Sequence, residues 1–188
     1  MTIFTIGHST RTLDEFVSLL RAHGVTRIAD IRAVPRSRRH PHFSLDELSR
    51  SLPEAGIEYR HFAALGGLRK PRRDSRNSGW RHEGFRGYAD YMETAEFKAA
   101  LDALIDWARA RSPLRSGTQS GYTTVMCAEA VWWRCHRQVL ADALVARGVE
   151  VRHIMSASAV SPHALTEFAR VDHESVHYPG LIQADSAH

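Results

Sequence analysis

Lysine is almost missing from this chain. Of its 25 basic residues only Lys70 and Lys98 are lysine, and the other 23 are arginine. Cysteine is nearly as scarce: Cys127 and Cys135 are the two present, too few for a disulfide framework, so a reducing cytoplasm is the expected setting. No apolar run approaches the ~18 residues that would span a bilayer, which predicts no membrane segment. Residues 1–10 lack the basic start and long apolar stretch of a secretory signal. Low-complexity tracts and fixed-period repeats are also missing, which argues against a disordered chain or a solenoid. What remains is an ordinary globular balance: 188 residues, 43% hydrophobic, 24% charged, net charge +4, the size of one domain. The arginine surplus has two readings. A guanidinium fork grips phosphate or carboxylate and stacks on rings, whereas a GC-rich coding habit would scatter arginines without purpose.

Hydrophobic patterning alternates strand and helix. Ile3–Ile6 reads as a buried strand ending at Gly7. Thr12 and Glu15 make a capping box that opens a helix with Leu13, Phe16, Leu19 and Leu20 on one face, closed at Gly24. Residues 25–31 form a second strand; Ser44 and Glu47 open a second helix that ends near Gly56; residues 57–62 form a third strand. Gly66 to Tyr88 carries Arg69, Lys70, Arg72, Arg73, Arg76, Arg81 and Arg86 with few aliphatics, and predicts a long basic flap. A helical stretch follows over 88–110, then a turn-rich connection at 112–120, a strand at 123–126, a helix at 136–147 and a strand at 149–155. Ser161-Pro162 signals one more helix, and residues 172–188 read as a mobile tail after a domain spanning 1–171. This order predicts an α/β fold: a single three-layer domain with a mainly parallel sheet of about five strands and helices on both faces.

In such sheets ligands bind beyond the carboxyl ends of the strands. That rule gathers five segments: Gly7-His8-Ser9-Thr10, Asp30-Ile31-Arg32, Ala64-Leu65-Gly66-Gly67, Cys127-Ala128-Glu129 and Ser156-Ala157-Ser158. Polar and reactive side chains concentrate in them. Cys127 is either a nucleophile or a small buried hydrophobe, and Glu129 either a general acid–base or an arginine partner. Cys135, His136 and Arg137 open a helix, where free N–H groups and a fixed cation favour an anion or a thiolate. His8 and Ser9 suit either ligand binding or capping. Asp30 and Arg32 suit either an internal pair or an anion site, but the following Pro35-Arg36-Ser37-Arg38-Arg39 is too basic to neutralise itself. The tight ligand spacing of structural zinc is absent and no metal is assigned; the cofactor stays unknown. Residues 127–134 also fit a cysteine-phosphatase loop poorly, with one residue too many and no glycine cradle. The flap interleaves its basic residues with Trp80, Phe85 and Tyr88, with Tyr91 just beyond, a pattern for phosphate contact and base stacking or simply for a solvated loop.

An ordered set of these residues resembles the domain of unknown function 488 family. It comprises Thr5-Ile6-Gly7-His8-Ser9, Asp30-Ile31-Arg32 with Pro35, Ser37, Arg38 and Phe43, then Tyr59, Leu65-Gly66-Gly67, Gly87-Tyr88 with Tyr91, Cys127-Ala128-Glu129, and Cys135-His136-Arg137. The set spans roughly residues 3 to 140. The resemblance implies a small cytoplasmic α/β domain of unsettled activity, some members carrying a DNA-repair label. Val131-Trp132-Trp133 departs from the polar stretch that the resemblance leads one to expect at that place.

Three functional expectations follow. The first is an enzyme acting on nucleic acid or nucleotides, with His8, Cys127 and Glu129 doing chemistry. In it Ser9, Asp30, Arg32, Gly66, Gly67, Tyr88, Cys135, His136 and Arg137 hold substrate or an anion, and the flap grips phosphates. The second is a thiol-dependent transferase or hydrolase of small molecules using Cys127 or Cys135. The third is a nucleic-acid-binding module without catalysis.

Overall fold

The computed structural model describes residues 1–36, 39–110 and 121–180. The 112–120 connection, Ser37, Arg38 and the last eight residues of the expected tail lie outside them. Along the chain run β1 (Thr2–Gly7), α1 (Leu13–Ala22), β2 (Val25–Asp30), α2 (Leu45–Glu54), β3 (Glu58–His61), α3 (Glu83–Met92), α4 (Ala95–Arg109), β4 (Tyr122–Cys127), α5 (Arg137–Ala146), β5 (Glu150–Ile154), β6 (Val160–Pro162), β7 (Arg170–Asp172) and β8 (Ser175–His177). The main sheet is six-stranded, ordered β3-β2-β4-β1-β5-β6, and parallel except for β6. β7 and β8 form a separate hairpin.

Side chains of successive strand residues point to opposite faces, and the core divides accordingly. Phe4, Ile6, Ile28 and Met126 pack with Phe16 and Leu20 of α1 and with Leu48 and Leu52 of α2. Ile3, Ala29, Val125, Cys127 and Val151 pack with Tyr88 of α3, Leu101 and Leu104 of α4, and Leu140 and Leu144 of α5. The sheet therefore lies between a two-helix and a three-helix layer, as the α/β reading requires.

Four expectations change. The flap ends at residue 82, because the His82 ring accepts the Gly84 N–H at 3.1 Å and starts α3 early. The 88–110 helix is two helices, since Thr94 turns its hydroxyl onto the Phe97 N–H and caps α4. Ser161-Pro162 lies in an edge strand, where proline's missing N–H costs no ladder bond; Ser161 pairs with His153, and β6 runs antiparallel to β5. Residues 172–180 are docked: Val176 and Tyr178 are buried, and Tyr178 donates its hydroxyl to Asp142 at 2.8 Å. The same Asp142 takes Thr166 N–H and hydroxyl at 3.0 and 2.7 Å and contacts His163 at 2.8 Å. His163 contacts His153 at 3.0 Å, and His153 reaches the Thr5 hydroxyl at 2.7 Å, with the Trp132 ring stacked 3.9 Å above it. No helix among the described residues is long and apolar enough to cross a membrane.

Candidate anion cleft and buried thiol cluster

Parallel register sets Gly7 level with Cys127 and Asp30 level with Met126, so three strand ends meet at one edge. Their loops are tied together by His8 N–H to the Cys127 carbonyl and Ser9 N–H to the Ala128 carbonyl, both 3.0 Å. Gly7 permits this approach. A Cβ there would stand 1.9 Å from the Glu129 carbonyl oxygen, so any other residue would push the loops apart.

His8 lies buried, stacked on Phe43 with ring centroids 4.1 Å apart. Its Nδ1 lies 2.9 Å from the Ser9 carbonyl, an acceptor only, so Nδ1 carries the proton and Nε2 keeps a lone pair. Arg32 Nη1 donates to that lone pair at 3.3 Å. Burial lowers the His8 pKa to about 4, with the Ser9 carbonyl opposing and the Arg32 charge adding, so the ring is neutral at pH 7. Arg32 is clamped by Asp30, which takes Nε at 2.9 and 3.1 Å and Nη2 at 2.5 Å. Asp30 also accepts the Arg32 backbone N–H at 3.0 Å and the Tyr59 hydroxyl at 2.7 Å. Burial alone would lower the Arg32 pKa; the Asp30 hydrogen bonds and charge outweigh it and raise it. Above this clamp opens a cavity of about 430 Å³ lined by His8, Ser9, Arg32, Arg36, Arg39, His40, Glu129 and their neighbours. Glu129 is the one carboxylate in that lining.

On the other face of the sheet lie the thiols. Cys127 and Cys135 are reduced, and the Cys127 sulfur, the Cys135 sulfur and His136 Nδ1 all lie within 4.8 Å of one another. His136 Nε2 reaches the Ile31 carbonyl at 3.2 Å and must donate there, which leaves Nδ1 to face the Cys135 sulfur at 3.6 Å. Gly67 makes room, since a Cβ would stand 2.8 Å from that Nδ1. The hydrogen bond from Cys127 lowers the Cys135 pKa, burial opposes, and His136 and Arg137 add to the lowering; the same bond and burial raise the Cys127 pKa. Arg137 is 1% exposed and donates Nη2 to the Glu129 and Ala130 carbonyls, while its Nε finds no partner. Two thiols and an imidazole are a donor set for a soft metal ion, and equally a site for thiolate chemistry.

A family model, Domain of unknown function DUF488, matches residues 12–144, more than half the chain. The chain belongs to that family. It matches no curated protein and no solved structure. The DUF488 span opens at the Thr12 cap and includes Asp30, Arg32, Cys127, Glu129, Cys135, His136 and Arg137, while His8 and Ser9 precede it.

In this DUF488 domain the expected single pocket is two sites back to back. His8, Ser9, Arg32 and Glu129 line the cleft with Asp30 beneath; Cys127, Cys135, His136 and Arg137 sit behind the 128–130 loop. Gly66, Gly67 and Tyr88 serve packing. A Cβ on Gly66 would meet Ala33 at 2.7 Å, and Tyr88 donates its hydroxyl to Leu65 at 2.8 Å. Residues 156–158 are exposed in the β5–β6 turn, outside the cleft lining. The flap folds back on α3. Asp90 accepts the Arg72 N–H, the Ser75 hydroxyl and the Asn77 amide at 2.8, 2.6 and 2.8 Å. Arg72 and Arg76 pair with Glu93, Arg69 stacks 3.6 Å over Tyr91, and Arg86 lies 3.8 Å from Glu83. Lys70, Arg73 and Arg81 remain exposed. Arg72 and Arg76 line a different groove, beside Lys98 and Arg147, away from the cleft. Only the family resemblance points to Tyr59 and Phe43; their contacts with Asp30 and His8 carry no signal in spacing. Arg36 and Arg39 belong to a basic run that was legible.

Proposed function

We propose that this DUF488 domain binds and acts on a phosphate-bearing substrate, a nucleic-acid strand or nucleotide, in the cleft above Arg32. The observation that carries this is the Arg32–His8 contact at the floor of a basic cavity. Asp30 takes Nε and Nη2 of the guanidinium and leaves Nη1 to His8, and Arg36 and Arg39 supply positive charge around the rim. A phosphate oxygen taking the Arg32 Nη1 bond would free His8 Nε2, a neutral lone pair able to accept a proton from a reacting hydroxyl or water. Glu129 at the rim is the second acid–base group. The flap arginines do not carry this reading, because Arg69, Arg72 and Arg76 are engaged within the protein.

Fluorescence anisotropy with labelled single strands, duplexes and a mononucleotide tests it. Affinity should fall as salt rises, and the joint change Arg36→Ala and Arg39→Ala should weaken binding and flatten the salt slope, while Arg72→Ala and Arg76→Ala should not. His8→Asn should keep binding and lose turnover. Absence of binding at low salt, or affinity indifferent to salt, refutes the reading. Preference for a duplex with a damaged base over an intact one would extend it to base repair.

A further inference from the structure

The thiol cluster stands apart from the cleft and poses its own charge problem. Arg137 is a permanent cation buried to 1% exposure, and among the described residues no carboxylate pairs with it. Carbonyls take its Nη2, and its Nε is left without an acceptor. An isolated buried charge is costly, so a counter-charge is required nearby. The two sulfurs are the groups at hand, since both lie close enough for the Arg137 charge to favour their ionisation. Three features single out Cys135. The Cys127 sulfur lies within 4.8 Å and is placed to donate its S–H to it, the His136 Nδ1 lone pair faces it at 3.6 Å and can take its proton, and it lies two residues before Arg137, the first residue of the ten-residue helix α5. Hydrogen-bond donors, cations and helix N-termini are what stabilise thiolates.

We propose that Cys127 and Cys135 form a peroxide-reactive site: Cys135, held as a thiolate by Arg137, attacks, and Cys127 resolves the product to a disulfide. Burial selects the oxidant. With Cys127 9% and Cys135 5% exposed, a peptide disulfide is too bulky to meet the sulfurs, and the oxidant has to be as small as a hydroperoxide. The Cys135 sulfur attacks one oxygen of hydrogen peroxide; an S–O bond forms, the O–O bond breaks, and the departing hydroxide takes a solvent proton to become water. Cys127 then attacks the sulfenic sulfur; an S–S bond forms, the S–O bond breaks, and the second hydroxide leaves as water with the Cys127 proton. Both sulfurs are oxidised and the peroxide is reduced to two waters. The Arg137 charge also argues against the competing use of the cluster, a bound divalent cation.

The test uses the reduced full-length protein and hydrogen peroxide, followed by thiol titration and intact mass. Stoichiometric peroxide should remove both thiols together and form an intramolecular disulfide. Cys127→Ser should stop at a sulfenic acid that dimedone captures on Cys135, and Cys135→Ser should not be captured. Arg137→Met should slow the reaction by at least about tenfold, the effect of one pKa unit of thiolate stabilisation, with Arg137→Lys restoring most of the rate. Thiols that stay intact in the folded protein but react after unfolding overturn the proposal, as does Cys135→Ser reacting at the wild-type rate. Binding of Co²⁺ to the reduced protein with a thiolate charge-transfer band, lost in His136→Ala, together with inertness to peroxide, would also overturn it and make the cluster a metal site.

Discussion

At the scale of single residues, Asp30 is the most heavily committed group in the cleft. It receives two donors from the Arg32 side chain, the Arg32 backbone N–H and the Tyr59 hydroxyl, and it is fully buried. Removing it strands a buried guanidinium, whereas removing the tyrosine hydroxyl takes away one of four donors. Asp30→Ala should therefore cost about 3–5 kcal/mol of stability. Tyr59→Phe should cost about 1.5 kcal/mol, the loss of one hydrogen bond to a charged acceptor. Urea titrations of the two variants check the ranking; equal losses would mean that Arg32 finds another partner. The neighbouring His8 shows how far a side chain's chemistry departs from its type: burial, helped by the guanidinium at Nε2 and opposed by the carbonyl at Nδ1, leaves it neutral, with its lone pair turned to the cation.

At the scale of elements, strand parity explains both what was legible and what was not. The helix caps at Thr12 and Ser44 were readable because they are local, and each Ser or Thr oxygen does accept the N–H three residues on. The reciprocal bond of a full capping box forms at Thr12 with Glu15, whereas the Glu47 carboxylate turns to Arg50. Convergence of the strand ends was readable from the alternation of strands and helices. The division into two sites follows from the period of two: His8 continues the face of Phe4 and Ile6, and Asp30 that of Ile28, whereas Cys127 continues the face of Val125. Strand-end position alone does not reveal that division; the face on which each strand-end side chain stands does. By contrast, the start of α3 at Glu83 depends on a histidine cap, and β6 uses a proline that equally suits a helix; neither is decided by local pattern. The approach of β1 to the 128–130 loop gives the element-scale prediction. Gly7→Ala places a Cβ against the Glu129 carbonyl, and because the obstacle is backbone, which cannot swing aside, the loop must move. A loss of about 1–3 kcal/mol is expected, with weakened ligand binding in the cleft, measured by thermal melts and anisotropy on the same variant.

For the whole molecule, the buried imidazoles set the response to acid. Burial lowers His8 to about 4, and burial, with His163 and the Arg137 charge alongside, lowers His153 to about 3. Unfolded histidines take up protons near about 6.5, so between that pH and the folded values the unfolded chain binds more protons, and stability falls as pH falls. Asp90 and Glu93, held low despite burial by Ser75, Asn77 and the Arg72 and Arg76 contacts, add a further loss at still lower pH. The urea midpoint should drop between pH 7 and pH 5; a flat profile would show that the folded protein keeps these rings charged. The Thr5–His153–His163–Asp142 line belongs to this scale, for it runs from the sheet centre to the helix that holds Tyr178. It also has a direction. A carboxylate at its end makes His163 donate to Asp142, which leaves His163 accepting from His153 and His153 accepting from the Thr5 hydroxyl. The tautomers of both rings are thus one shared state rather than two independent ones. A proton added at His163 would reverse every bond between it and Thr5, so that β1 and the docked C-terminal segment report on one charge.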